Sequence, residues 1–185
     1  RPKTEMLLRA TLVATCSTAA ALSMPSFWAK YTTTPTIEIS RPEDALLGAK
    51  STAAEVLTKY RAKGLPAYVQ RGGTAVVTGG NQGIGLESVR VLLEAGCRVV
   101  LCSRDADAGA KALASLGDGV DATRVRVQKL DLADLSSVKA ASEEIAVKEG
   151  SVSLLLLNAG VMACPRLATK DGFEMQIGVN HLGHH

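Results

Sequence analysis

Between Thr78 and Gly85 the chain reads Thr-Gly-Gly-Asn-Gln-Gly-Ile-Gly. Binding a phosphate needs bare backbone N–H groups, no Cβ in the way, and the positive end of a helix behind them. Glycines at 79, 83 and 85 meet those needs, and the candidate contacts of this turn are Gly79, Asn81, Gln82, Gly83, Ile84 and Gly85. A glycine-rich turn can also mark nothing more than a tight corner. Its place after an apolar β-branched run and before a helical pattern favours the phosphate reading.

A second determinant follows at the end of the next apolar run. Dinucleotide sites that take NAD carry an acid there, which accepts from the ribose 2′-hydroxyl and repels a 2′-phosphate. This chain has Ser103 and Arg104 instead. A hydroxyl beside a guanidinium suits a dianionic phosphate, so the expected ligand is NADP(H) rather than NAD(H).

The elements that must position these residues alternate. Strands are expected at Thr74–Thr78, Arg98–Cys102, Arg124–Leu130 and Val152–Leu157, the last being the most apolar run. Helices are expected at Gly83–Ala95, around Ala106–Ala114 and around Leu135–Ile145. Such alternation predicts an α/β fold, a parallel sheet covered on both faces. Right-handed crossovers give a partial Rossmann-type sheet of order 3-2-1-4. Stopping at four strands leaves the fourth as an edge with apolar surface exposed.

With the elements in place, the chain resembles the short-chain dehydrogenase/reductase family from about Gly72 onward. The glycine-rich turn matches the family's TGxxxGIG motif in full. Asp131-Leu132 matches the acid after the third strand, which the resemblance implies contacts the adenine. Asn158-Ala159-Gly160 matches the NAG motif beside the cofactor ribose. Asn180, in Val179-Asn180-His181-Leu182-Gly183-His184, matches the asparagine that helps hold a catalytic lysine through a water. Gly160-Val161-Met162, Asp171-Gly172-Phe173-Glu174 and Gln176 to His181 are most similar to the retinol dehydrogenase and protochlorophyllide reductase-like branch. The implied activity is NADP(H)-dependent interconversion of a carbonyl and an alcohol on an apolar substrate.

One part of the family pattern is missing. The resemblance implies a serine that holds the substrate oxygen and a Tyr-xxx-Lys pair that moves the proton. Both would follow Asn180, and His185 is the last residue here. Tyr31, Tyr60 and Tyr68 all precede the glycine-rich turn, and none has lysine four residues on. The 185 residues therefore read as a cofactor-binding portion without its proton donor. The alternative reading is a non-catalytic Rossmann-like subunit of a larger membrane-associated assembly.

Upstream of the sheet the chain reads differently. Residues 1–31 are basic at Arg1, Lys3 and Arg9, nearly free of acid, and rich in Ala, Leu, Ser and Thr. A targeting presequence, a membrane anchor ending in Trp28, Lys30 and Tyr31, and a plain buried helix all fit. Anchor or complex-bound extension ranks first, with Met6–Met24 helical and a plastid or mitochondrial location, or alternatively the endoplasmic reticulum membrane. An Arg at position 1 suggests a processed or incomplete chain. Residues 32–71 read as a linker and a helix from about Arg41 to Ala62, opened by Ser40 and Glu43 as a capping box. Residues 72–185 form the nucleotide-binding part.

Composition narrows the partners. Lys and Arg number 21 against 18 Asp and Glu, a net charge of +3 spread along the chain, which is too diffuse for nucleic acid. Cys16, Cys97, Cys102 and Cys164 form no CxxC pair and read as core or unremarkable thiols. His181, His184 and His185 lack a carboxylate or thiol at ligand spacing, so no metal site is expected.

Overall fold

A computed structural model of the chain describes Gly48 and residues 50–185. The N-terminal extension, most of the linker and the Ser40–Glu43 pattern lie outside the described residues.

Helix α1 spans Ala53–Lys63. It is opened by a complete capping box: Glu55 N–H donates to Thr52 Oγ1 at 3.3 Å, and Thr52 N–H donates to Glu55 Oε2 at 2.7 Å. Of the helix expected over about Arg41 to Ala62, the described residues hold Ala53–Lys63, opened by the Thr52 and Glu55 cap, and most of the earlier part of that expectation lies outside them. The guanidinium of Arg61 donates to the Glu94 carbonyl, tying α1 to the next long helix. A four-residue helix, α2 (Ala67–Gln70), was not foreseen between Pro66 and the first strand.

Four parallel strands follow: β1 (Thr74–Thr78), β2 (Arg98–Ser103), β3 (Val125–Lys129) and β4 (Leu154–Leu156). Their order is β3-β2-β1-β4, as the crossovers require. Val76 of β1 stands beside Val100 of β2 and Leu155 of β4. On one face, Val77, Val99, Leu101 and Val125 pack against Val89 and Leu93 of α3 (Gly83–Glu94). That face is shared by α4 (Ala106–Ser115), where Gly109 sits so tightly on β3 that a Cβ would stand 2.6 Å from Val127 Cγ1. On the opposite face Val76, Val100 and Cys102 meet Ile145 of α5 (Leu135–Glu149).

The outer strand differs from its neighbours. Every residue of β1 is buried, whereas Leu155 of β4 is 54% exposed and Leu157 just beyond it 52%. The apolar run thus makes a shorter strand than expected, at the sheet edge. Beyond it, Ala168 bridges Glu174, and a short helix α6 (Met175–Asn180) is followed by a 3-10 turn at Leu182–His184. The sequence pattern did not reveal α6. Its Gly178 packs on Thr169 and leaves little apolar periodicity to read. Among the described residues, no helix is long and apolar enough to cross a membrane.

Candidate functional site

The strand ends and the turns leaving them enclose a groove of about 410 Å³. The glycine-rich turn forms one wall with Gly79, Asn81 and Gln82. Ser103 and Arg104 contribute from the end of β2, Asp131 and Leu132 from beyond β3, and Ala159 and Gly160 from beyond β4. Nine of the sequence-predicted residues thus share one surface. Gly83, Ile84, Gly85, Asn158 and Asn180 stand outside this lining. Val161, Met175 and Val179 join it, and sequence reasoning missed them.

The start of α3 leaves its backbone N–H groups without a side-chain cap. Side chains cap α1, α4, α5 and α6 through Thr52, Asp105, Asp134 and Glu174. At α3 the N-cap is Gln82, and no side chain caps the helix. Among the described helices longer than four residues it alone is left so, and its first N–H groups and the positive dipole end stay free. Gly83 has φ +54, a left-handed conformation that a side chain would strain, and open space lies where its Cβ would be. Ile84, in the first turn, is 81% exposed.

Gly85 and Asn158 act behind this surface. A Cβ on Gly85 would collide with the Gly79 carbonyl oxygen and stand 2.6 Å from Asn158 Nδ2. Asn158 Nδ2 in turn donates to the Thr78 carbonyl at 3.0 Å and the Gly79 carbonyl at 3.4 Å. The asparagine therefore pins the end of β4 to the turn after β1, and α3 can approach only because residue 85 has no side chain.

At the second strand end the groups divide their work. Ser103 is buried, and its hydroxyl donates to the Asp105 carbonyl at 2.7 Å. Asp105 caps α4 by accepting from the Asp107 and Ala108 N–H groups. Arg104, between them, is exposed and has no side-chain partner among the described residues, so its guanidinium is available to the groove. Asp131 accepts from Ala133 N–H through one oxygen, at 2.9 Å. Asp134 caps α5 and takes Lys170 Nζ at 2.7 Å. The Lys170 ammonium, with Ser136 adding a hydrogen bond, holds the Asp134 carboxyl well below the usual carboxylate range.

The far side is closed by Asn180. Its Oδ1 accepts from Val161 N–H at 2.7 Å and its Nδ2 donates to the Val161 carbonyl at 2.8 Å. Both ends of the amide are used to hold the segment after Gly160. Thr78, 4% exposed, collects four contacts at the β1–β4 junction, one of them from His184. The sequence reading placed both residues inside motifs and gave neither a role. The i, i+4 spacing of Asn180 and His184 was the available signal. Among the described residues no three His, Cys, Asp or Glu groups converge as a metal site.

Residues 73–184 match the family model described as short chain dehydrogenase. The chain belongs to the short chain dehydrogenase family. Over 113 residues it is 48% identical to mouse retinol dehydrogenase 11, a stretch that is 61% of this chain and 36% of that protein. Mouse retinol dehydrogenase 14 is 41% identical over 126 residues, 63% of this chain and 38% of the relative. The chain thus spans little more than a third of the length of the curated relatives it matches. Among solved structures, an uncharacterized protein from Mycobacterium paratuberculosis superposes with a TM-score of 0.55 at 39% identity, covering 72% of this chain and 42% of that one. Pseudomonas aeruginosa RhlG, solved as an NADP active-site complex, gives 0.51 at 30% identity, covering 61% and 44%.

Proposed function

We propose that this chain is the cofactor-binding portion of an NADP(H)-dependent oxidoreductase that interconverts a carbonyl and an alcohol on an apolar substrate. The observation that carries the cofactor reading is the groove itself, which runs from the uncapped start of α3 to the unpaired Arg104. The bare N–H groups of α3 would hold the pyrophosphate, and Arg104 the 2′-phosphate. Asp131 has one carboxylate oxygen without a backbone partner and lies where adenine would be met. Ala159 and Gly160 would flank the ribose, with Asn180 keeping that wall in place through Val161. NADP bound to RhlG supports the same choice of dinucleotide.

Bound there, NADP(H) supplies hydride chemistry. This chain's own residues bind and orient, and none of its tyrosines precedes a lysine at the spacing that a proton donor of this family needs. An apolar substrate is favoured by Ile84 and by Met162, 89% exposed just past the groove wall, and by the retinol in the relatives' names. Residues 1–31 would attach the protein to an organelle membrane or a larger assembly, a reading supported by their basic, acid-poor, apolar composition.

The test is fluorescence titration of the full-length protein with NADPH and NADH, followed by turnover of retinal-like aldehydes. Tighter binding of NADPH and consumption of the aldehyde are expected. Equal affinity for the two dinucleotides would remove the Arg104 reading, and binding without turnover of any aldehyde would favour a non-catalytic subunit. The isolated 185 residues should bind NADPH and reduce nothing. Deleting residues 1–31 should release the protein from membranes and leave nucleotide binding intact.

A further inference from the structure

Four groups surround the Thr78 hydroxyl, and counting protons and lone pairs among them fixes the state of a histidine. Asn158 N–H and Ala159 N–H both reach Thr78 Oγ1 at 3.0 Å. A hydroxyl has two lone pairs and one proton, so these two donors use its accepting capacity. Its proton has two possible acceptors: His184 Nε2 at 2.9 Å and the Leu156 carbonyl at 3.4 Å. The shorter contact wins, because hydrogen bonds weaken toward that longer separation. Nε2 must then be bare. At the other side of the ring, Nδ1 lies 3.3 Å from the Asn180 carbonyl, which can only accept. Nδ1 must then carry the proton. Two independent contacts specify the same tautomer.

We infer that His184 is a positioning residue: as the neutral Nδ1–H tautomer it closes a hydrogen-bonded ring that links the glycine-rich turn to the wall held by Asn180. The ring runs from Thr78 to Asn158 and Ala159, on through Gly160 to Val161, across to Asn180, and back through the imidazole. Asn180 fixes Val161 with its side chain and His184 with its main chain, so one residue joins both arms. Without the imidazole, Thr78 has only the long contact to Leu156 for its proton, and β1 loses its direct link to Asn180 through the ring. The ring then opens, and the two walls stay joined only through the 158–161 segment.

Its consequence for NADPH rests on the cofactor reading above, whereas the tautomer does not. Long-range ¹⁵N–¹H correlation spectra of the full-length protein, at mildly alkaline pH and without cofactor, read the ring directly, with His184 assigned by its loss in His184→Gln. A protonated Nδ1 with a bare Nε2 is expected; the Nε2–H tautomer or a charged ring overturns the inference. His184→Gln leaves an acceptor facing Thr78, and His184→Leu does not. Amide exchange at Asn158 and Ala159 should quicken in the leucine variant and return in the glutamine one. NADPH affinity should fall about three- to tenfold in the leucine variant and recover to within about twofold in the glutamine one, the range of one neutral hydrogen bond. Equal exchange and equal affinity in both variants would also overturn it. If the unmodified protein binds no NADPH, the cofactor reading fails alone, while the spectra and exchange still decide the ring. Should the leucine variant not fold, the spectra of the unmodified protein suffice.

Discussion

Gly85 and Asn158 lie so close that a single methyl group on the glycine would stand 2.6 Å from the asparagine's Nδ2. The same methyl would strike the Gly79 carbonyl, so the collision is with backbone on one side and, on the other, an amide nitrogen already donating to two carbonyls. Gly85→Ala should force α3 away from the turn. Overpacking of this kind costs about 1–3 kcal/mol. The expected outcome is a lower Tm together with weakened NADPH binding, read by calorimetry and by titration. A variant with unchanged Tm and affinity would show that the close approach has no role.

Arg104→Ala removes the exposed cation at the end of β2 and leaves the fold alone, since no described side chain depends on it. NADPH affinity should fall about ten- to a hundredfold, the range for a lost charge-assisted contact. NADH affinity should hardly change. Paired titrations check this, and a parallel loss for both nucleotides would assign Arg104 to the shared part of the ligand instead.

Asp134→Ala should lower Tm and loosen the segment around Lys170, because one carboxylate both caps α5 and holds the Lys170 ammonium. The carboxyl titrates below its ordinary value in the folded chain. Its contribution is therefore fully present at neutral pH and declines as the pH falls below the ordinary carboxylate range, where the unfolded chain takes up the proton first. Thermal melts across that range should show the unmodified protein and the alanine variant converging toward the acid end. A constant gap between them would contradict the linkage.

Thiol labelling should divide the cysteines. Cys97 and Cys102 are buried among core side chains, and burial pushes the Cys102 thiol up to about 12, with Arg126 opposing the shift. A raised value keeps the thiol protonated and unreactive. Cys164, partly exposed, should label in the native protein, while Cys97 and Cys102 should label only on unfolding. Mass spectrometry of labelled peptides gives the answer, and early labelling of Cys102 would mean that β2 opens readily.

What the sequence made legible follows from how local each signal is. β1 and β2 are runs of β-branched and apolar residues bounded by glycine and arginine, and their ends fall within a residue of expectation. The strand order followed from right-handed crossovers combined with the Rossmann reversal after the third strand. By contrast, the capping box that opens α1 at Ala53 is a local signal, Thr52 with Glu55 three residues on, and the sequence reading passed over it. The apolar run at 152–157 could not show that its outer face stays open, because burial is decided by what packs on it. The contact of Thr78 with His184 spans 106 positions and depends on three elements meeting, so no local pattern announces it.

The uncapped start of α3 has a consequence for how long the protein lasts in a cell. A helix that lacks its own cap leaves the empty protein less stable than its capped neighbours would suggest. An anionic ligand seated there replaces the missing side chain and stabilises the folded state by mass action, about 2.7 kcal/mol when the free ligand stands at a hundred times its Kd. Chaperones and proteases act on the small unfolded fraction, which that difference reduces about a hundredfold. Abundance of this protein would then track the cell's dinucleotide supply, with molecules made in times of shortage degraded before those made in plenty.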